Sequence, residues 1–520
     1  MERLSGLDAS FLYLETSSQV MNVATILQAD PSTIPGGYSF EKVRAEMARR
    51  VVGLPYLRRR ITNSLTNVDH PVWVEDDDFR IERHVHRIAV PSPGRIEEVS
   101  QMCSHLIGQQ LDRKKPLWDL WVMEGMAGGR IAFMLRMHHA LVDGATVADL
   151  LGDLATESAD PPPLDPEQAA ITAGAAPRAE MAVGGAFNFF VQRPIAALKL
   201  IPKTLPVPVE WIKRIRAGDG MPAPFDAPRT RFNAPLTPRR SIALTQLPLA
   251  EVKRVKDHYG VKMNDVVLAM TGGALRDYLA VRDELPDRPL VGLVPVSVRG
   301  SDETDLIVTG TNKVTGMFTR LPTPVEDPVQ RIRVAQVYAN QAKKHHEDVE
   351  PNLLRAFAEF APGHSLGALM RLYADRRLSV LHPPIFNTVI SNVAGPRFDM
   401  YFLGAKVEAV YPLAPIFHGL GLNITVFSAG DKLNVGLLTC ADLTPDIFDL
   451  CHAFEAQLGE LSRAVDADES AAETAAAMDA AIREAVAQAA IKEFPIDLGR
   501  RTDDGDSGDG GDDAVSESGP

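Results

Sequence analysis

The stretch 131–144 reads Ile-Ala-Phe-Met-Leu-Arg-Met-His-His-Ala-Leu-Val-Asp-Gly and carries the sharpest local pattern in the chain. Its first seven residues are apolar except for one arginine, and such a run predicts a buried β-strand over 131–137. His138 and His139 follow at the end of that strand, and we predict a helix from about Thr146. The two imidazoles are therefore expected on a rigid strand-to-helix turn.

A histidine held at a strand end is suited to accept a proton from an alcohol, because imidazole titrates near neutral pH. Asp143 stands four residues beyond His139, and Gly144 lets the chain turn. Neighbouring residues in extended backbone face opposite ways, so only one of the two histidines can face a given cleft. Two other interpretations stay open: a structural pair with satisfied side chains, and a metal site from His139 and Asp143, for which no third ligand is evident.

The spacing of apolar residues predicts α/β structure on both sides of this motif. Strands are predicted at Pro116–Met123, Arg130–Met137, Ser241–Leu247, Val291–Val298, Asn387–Val393, Gly421–Ser428 and Lys432–Thr439, and helices at 41–51, Ile96–Leu111 and 264–280. A further helix is indicated by the apolar stripe Ile447, Cys451, Phe454, Leu458, Leu461 and Val465.

Composition divides the chain into two halves and three other segments. We predict α/β halves over 1–155 and 241–465, joined by a Pro/Ala-rich, partly helical crossover over 156–240. An Ala-rich helical extension is expected over 466–500, and a disordered acidic tail over 501–520.

The charge of the 520-residue chain argues against a nucleic-acid partner, because the formal net charge is −14. The tail contributes seven acidic residues and one basic residue, which leaves −8 for residues 1–500. Three scattered cysteines are too few for a disulfide framework or a zinc knuckle. The sequence shows neither a signal peptide nor an uninterrupted apolar run of membrane-spanning length, so a cytoplasmic address is expected, and peripheral contact with a membrane or lipid inclusion stays open.

The pattern His-His-x-x-x-Asp-Gly resembles the signature of CoA-dependent acyltransferases and peptide-synthetase condensation domains. In its wider context the chain resembles the bacterial wax ester synthase/diacylglycerol acyltransferase family, in order, over about residues 1–465. The stretches that carry this resemblance are Leu4–Glu15, Pro116-Leu117-Trp118, Asn264-Asp265, Val294–Arg299 and Ser391–Pro396.

The resemblance implies two chloramphenicol-acetyltransferase-like α/β sandwich halves with mixed sheets and an active-site channel between them. It also implies roles for the matching residues. His139 is the expected proton acceptor and His138 supports the loop. Asp143 would brace the motif, with Arg299 of the other half as its ion-pair partner, since a buried carboxylate needs one.

The remaining motifs have both structural and substrate-facing explanations. Asn264 could cap a helix and Asp265 could suit its dipole, or both could face substrate. The Pro116-Leu117-Trp118 stretch could be a packing element or lie near the acyl path. Ser391 and Asn392 could belong to a turn or donate hydrogen bonds to a developing oxyanion.

The function implied by the resemblance is O-acyl transfer from long-chain acyl-CoA to a lipid hydroxyl, without metal or cofactor and without an acyl-enzyme. Diacylglycerol would give triacylglycerol, and a long-chain alcohol would give a wax ester. Two alternatives are kept. One is a lipid esterase using Ser365, because Gly363–Gly367 matches G-x-S-x-G, although the residues before it have a helical pattern. The other is an inactive lipid-binding protein.

Residues 189–216 hold six basic residues and one acidic residue, together with Phe189, Phe190 and Trp211. Such a basic, aromatic-bearing segment suits the surface of an anionic bilayer or a lipid droplet. The alternative is a crossover that packs on the protein body.

Overall fold

A computed structural model describes residues 2–63, 70–141, 151–152, 154–160, 221–223, 225–297, 314–348, 363–396 and 398–493. The strands are β1 (Glu2–Arg3), β2 (Asn22–Asp30), β3 (Arg59–Thr62), β4 (Val72–Glu75), β5 (Val85–Ala89), β6 (Trp118–Glu124), β7 (Ile131–His138), β8 (Ala155–Thr156), β9 (Arg240–Pro248), β10 (Val291–Ser297), β11 (Val314–Arg320), β12 (Thr388–Ala394), β13 (Tyr401–Phe402), β14 (Ala405–Leu413), β15 (Leu422–Ala429) and β16 (Lys432–Cys440). The helices are α1 (Gly6–Leu14), α2 (Phe40–Val52), α3 (Ile96–Ile107), α4 (Leu249–Tyr259), α5 (Met263–Ala280), α6 (Pro328–Asp348), α7 (Gly363–Asp375) and α8 (Ile447–Glu493).

The first large sheet has seven strands in the order β5-β6-β7-β2-β14-β13-β8. Only the β5–β6 pair among these is parallel, and the other neighbours are antiparallel. The strand predicted before the two histidines is confirmed as β7, and all eight of its residues are buried. A strand covered on both faces reads as a continuous apolar run, which explains the sequence signal.

The two faces of β7 belong to different parts of the core. Phe133 and Leu135 join one apolar cluster, whereas Ala132 and Met134 join another. The second cluster includes side chains of α3, which packs against the first sheet and also against β9. Since side chains alternate along a strand, His138 shares the α3 face with Met134.

The second large sheet has six strands in the order β11-β10-β12-β15-β16-β9. Its centre, β10-β12-β15, is parallel, and its outer pairs are antiparallel. A small sheet, β1-β4-β3, stands apart from both. The α/β class with mixed sheets is thereby confirmed.

Strand β14 connects the two halves in an unexpected way. It follows β12 in sequence, yet it pairs antiparallel with β2 of the first sheet, with Val410 opposite Leu27. The second half of the chain therefore supplies a central strand to the sheet of the first half. Hydrophobic spacing along the chain did not indicate this exchange.

Helix α8 begins at Ile447, and the predicted apolar stripe along it is buried from Ile447 to Val465, which confirms that prediction. The chain divides into two units, 1–464 and 465–520. In the second unit the helix continues to Glu493, and its side chains from 466 to 484 are exposed.

Among the helices of the described ranges, none is long and apolar enough to cross a bilayer. The division at 156–240 stays a prediction. Most of that crossover, including 189–216, lies outside the described residues, as does the tail 501–520.

Candidate active site

The end of β7 separates the environments of the two histidines. His138 is the last strand residue, opposite Asn22, and only 1% of it is exposed. His139 is half-buried, and its ring stacks on Phe11 of α1 with 3.9 Å between ring centroids. The His139 amide donates to the carbonyl of Met21 at 2.7 Å. Of the two imidazoles, His139 is thus the more accessible to another molecule.

His138 is held as a neutral imidazole. Its Nδ1 accepts a hydrogen bond from the Ala140 amide at 3.0 Å, so the ring proton resides on Nε2. Nε2 lies 3.7 Å from Oε1 of Glu15, which is too long for a hydrogen bond but close enough for electrostatic attraction. Burial lowers the pKa of His138 well below its usual value, and the nearby Arg113 and His139 act in the same direction.

Glu15, the C-cap residue of α1, connects several groups around the histidines. Its buried carboxylate accepts from Arg113 Nη2 at 2.7 Å through one oxygen and from the Met21 amide at 3.4 Å through the other. Because the Met21 carbonyl holds the His139 amide, one carboxylate is linked to both histidines. Glu15 lies within the stretch Leu4–Glu15 that carries the family resemblance, whereas no local pattern in the sequence singles out Arg113.

The turn after α1 is fixed by His418, which lies about 400 positions later in the chain. The His418 amide donates to Oε1 of Gln19 at 2.6 Å, and the Leu236 amide donates to Nδ1 of His418 at 3.1 Å. Nε2 therefore carries the ring proton and donates to the Ser18 hydroxyl at 3.2 Å. Burial, assisted by Arg240, lowers the pKa of His418 to about 4.

This histidine should make the protein less stable in mild acid. In the unfolded chain His418 becomes protonated below a pH of about 6.5, whereas in the folded protein it becomes protonated only near pH 4. The contribution of His418 to the free energy of unfolding should therefore be constant above pH 6.5 and fall between pH 6.5 and 4. When the pH is lowered from 7.5 to 5.0, the free energy of unfolding measured with urea should fall by about 2 kcal/mol less in His418→Gln than in wild type.

Its matched control is His452→Gln, at an exposed position of α8. The free energy of unfolding of that variant should change between pH 7.5 and 5.0 by the same amount as that of wild type. An identical pH dependence in His418→Gln and wild type would contradict the assignment.

A cavity of about 510 Å³ opens beside the Glu15 carboxylate. Its lining comes from α1 and the following turn, the β3 end, the α3–β6 connection and α7: Leu12, Tyr13, Glu15, Thr16, Ser17, Ile61, Asn63, Pro71, Gln110, Arg113, Lys114, Gly367 and Arg371. Glu15 is the one acid among these described residues, and it is paired with Arg113. The lining therefore mixes apolar and polar side chains, with excess positive charge, and it is connected to the histidine pair through Glu15.

The Pro116-Leu117-Trp118 stretch is buried in the core, and its place near the acyl path stays a prediction. Trp118 Nε1 donates to the Leu57 carbonyl at 2.6 Å, and the Leu117 carbonyl accepts from the His138 amide at 3.0 Å. Two residues before His138, Arg136 forms a buried ion pair with Asp119, with 3.0 Å between Nε and Oδ1. These contacts fix the backbone on which the histidines stand.

The helix predicted at 264–280 is α5, but its cap differs from the expectation. Lys262 is the N-cap residue, and its amide donates to Oδ2 of Asp265 at 2.9 Å. N-capping by Asn264 was thus wrong, because the helix begins one residue earlier and leaves Asn264 inside its first turn. Asp265 satisfies the terminal amide instead.

Ser391 and Asn392 are half-buried residues of β12, opposite Thr425 and Val426 of β15. They belong to a parallel strand pair, so the turn interpretation was wrong for these two residues. Their proposed contact with an oxyanion stays a prediction.

Ser365 is the third residue of α7, so the Gly363–Gly367 motif lies within a helix rather than on the strand-to-helix turn that a nucleophile elbow needs. Asp143, Gly144 and Arg299 lie outside the described residues. Among the residues that are described, no group of three or more His, Cys, Asp or Glu side chains is arranged to hold a metal ion.

Comparison with known proteins gives matches along most of the chain. The model of the wax ester synthase/diacylglycerol acyltransferase catalytic domain matches residues 4–267, and the model of the corresponding C-terminal domain matches 310–462. A Mycobacterium tuberculosis H37Rv protein, provisionally named a diacylglycerol O-acyltransferase, is 42% identical over 467 residues, covering 90% of this chain and 91% of its own.

Two solved structures are similar in fold. A wax ester synthase/diacylglycerol acyltransferase from Marinobacter aquaeolei VT8 superposes with a TM-score of 0.64 at 26% identity, covering 90% of this chain and all of the other. The first condensation domain of the calcium-dependent antibiotic synthetase has a TM-score of 0.52 at 14% identity, over 89% and 96% of the two chains. At that identity, the condensation domain supports the fold alone.

Proposed function

Because this chain belongs to the wax ester synthase/diacylglycerol acyltransferase family, and is therefore an acyltransferase, we propose that it transfers a long-chain acyl group from acyl-CoA to a lipid hydroxyl. We propose diacylglycerol as the acceptor, which makes triacylglycerol the product. The names of the mycobacterial relatives support this choice. The combined name of the Marinobacter enzyme supports a long-chain alcohol as the alternative.

The observation that carries the proposal is the unequal pair of histidines, which Glu15 connects to the cavity. His138 is buried and held neutral, whereas His139 is half-buried on a backbone that Met21 fixes. We therefore assign His139 as the general base and His138 as a positioning residue. Asp143 and Gly144 would complete the motif, with Arg299 as the partner of Asp143.

In the proposed reaction, the acceptor oxygen attacks the thioester carbonyl while His139 takes the hydroxyl proton. The tetrahedral intermediate then collapses, the carbon–sulfur bond breaks, and the imidazolium returns its proton to the leaving CoA thiolate. General-base assistance of this kind contributes about 10²–10⁴-fold. Holding both substrates together supplies a further part of the acceleration.

Transfer should be direct, without a covalent acyl-enzyme. All three cysteines are buried, and burial raises the pKa of the Cys103 and Cys451 thiols, which keeps them protonated. Ser365 lies in the first turn of a helix. Neither these thiols nor the position of Ser365 therefore supports a covalent intermediate.

The test is transfer of radiolabelled palmitate from palmitoyl-CoA, with diacylglycerol and hexadecanol as parallel acceptors. We expect labelled triacylglycerol as the main product, and unchanged activity in Ser365→Ala. Wax ester alone would select the alternative acceptor. Free fatty acid as the main product, lost with Ser365→Ala, would instead identify an esterase, and bound acyl-CoA without turnover would identify a lipid-binding protein.

A further inference from the structure

The outer side of α7 carries apolar side chains that a surface helix normally turns inward. Leu369 and Leu372 stand three residues apart, on one face of the helix, and are 56% and 47% exposed. The turn that follows exposes Val380 and Leu381, and Phe225 adjoins it. These five make up nearly half of the large exposed apolar side chains in the described part of the chain.

Hydrogen bonds hold this surface together. Arg377 adopts a left-handed conformation, with φ of +52°, which ends α7 and reverses the chain. The Arg229 guanidinium donates to the carbonyls of Ser379 and Val380 at 3.4 Å. Tyr373 and His382 are joined at 2.7 Å between Oη and Nε2. The apolar groups are thus displayed on a defined surface rather than on a loose loop.

Basic groups surround the apolar ones. Arg371, Arg376 and Arg377 are exposed at this end of the helix, against the single carboxylate of Asp375, although the chain as a whole is strongly acidic. Exposed leucines interleaved with arginines complement the interface of a membrane that contains anionic lipids. The positive charge is complementary to phosphate headgroups, and the leucines to the acyl region beneath them.

The same helix forms a wall of the cavity beside Glu15. Gly367 and Arg371 line that cavity. At 100° per residue, Leu369 and Leu372 point to the opposite side of the helix from Gly367. One helix, about 10 Å thick, therefore separates the apolar surface from the cavity.

We propose that the α7 face, made of Leu369, Leu372, Arg376, Val380, Leu381 and Phe225, docks on an anionic phospholipid surface. The lipid acceptor then enters the cavity from that surface, a consequence that rests on the proposed function. The docking itself does not depend on any catalytic activity.

Sedimentation with vesicles tests the docking. The full chain should bind vesicles of dioleoylphosphatidylcholine mixed two to one with dioleoylphosphatidylglycerol, and bind phosphatidylcholine alone more weakly. The triple variant Leu369→Ser/Leu372→Ser/Leu381→Ser should bind the mixed vesicles about tenfold or more less tightly, since three apolar side chains lose their insertion. Val281→Ser/Val337→Ser is the matched control, because both valines are exposed elsewhere and should not matter.

The charged part of the surface gives a second measurement. Arg376→Gln should weaken binding to the mixed vesicles by about fivefold, and added salt should reduce the difference. Lys253→Gln, on the exposed side of α4, should leave binding unchanged. Equal binding of wild type and the triple leucine variant would overturn the proposal. A wild-type protein that does not bind the mixed vesicles would also overturn it. A dimer in solution that the leucine substitutions dissociate would do the same, because the surface would then be an interface between two copies of the chain.

Activity assays separate this proposal from the proposed function. If both hold, the triple variant should lose transfer to diacylglycerol in vesicles while keeping transfer to a dispersed short-chain alcohol such as hexanol. Vesicle binding without any transfer would leave the docking surface standing and refute the acyltransferase mechanism. Equal loss on both acceptors would contradict delivery of the acceptor through the docked surface.

Discussion

Replacing His139 by alanine should lower kcat/KM for acyl transfer by about 10²–10⁴-fold, the usual contribution of a positioned general base. The substitution removes the only proton acceptor we assign, while the acceptor hydroxyl and the thioester still bind. The main loss should therefore appear in kcat rather than in KM. Initial rates with purified enzyme, varying each substrate in turn, provide the measurement.

Phe11→Leu is the matched control for this substitution, because it removes the ring stacked on His139 but keeps the imidazole. Phe11→Leu should lower kcat only severalfold. The thermal unfolding of His139→Ala should stay close to that of wild type, since the side chain is half-buried and lies beyond the last strand residue. Wild-type activity in a folded His139→Ala protein would show that another group accepts the proton.

Asp119→Ala should destabilise the protein by about 3–5 kcal/mol, because it leaves the buried Arg136 guanidinium without its carboxylate. Arg136 is 4% exposed and Asp119 is 7% exposed. The remaining partners of this guanidinium are the carbonyls of Leu106 and Gln109, which are neutral. Urea unfolding at pH 7.5 gives the free energy directly.

The exposed ion pairs of Asp78 with Arg80 and Arg83 supply the comparison, and Asp78→Ala should lower the free energy of unfolding far less than Asp119→Ala does. Replacing both buried partners, as in Asp119→Leu/Arg136→Leu, should cost less than Asp119→Ala alone, since no charge is then stranded. If Asp119→Ala unfolds at the wild-type urea concentration, water reaches Arg136 and the ion pair is not buried in solution.

Local periodicity was enough to predict the elements that are covered by the core. Strand β7 is buried on both faces and therefore appears in the sequence as an apolar run. The stripe of α8 repeats at helical spacing because one side of it packs inward. In both cases the signal and its cause lie within one short segment.

The surroundings of the histidines could not be predicted in this way. Arg113 follows Glu15 by 98 positions, and His418 follows Ser18 by 400. Such contacts depend on which strands become neighbours in a sheet. The pairing of β14 with β2 cannot be predicted from the spacing of apolar residues along the chain. The error at Asn264 was of another kind, since a one-residue shift of the helix start transfers the capping role to Asp265.

The place of β14 also has a consequence for biosynthesis. The ribosome makes Asn22–Asp30 long before Ala405–Leu413, yet these two stretches pair over seven registered positions. Until the later one emerges, the earlier strand leaves one row of amide and carbonyl groups open, which is a template for aggregation. A nascent chain of this protein must therefore keep its first sheet incomplete for most of translation, and a truncated product ending before residue 405 should accumulate in inclusion bodies or on chaperones.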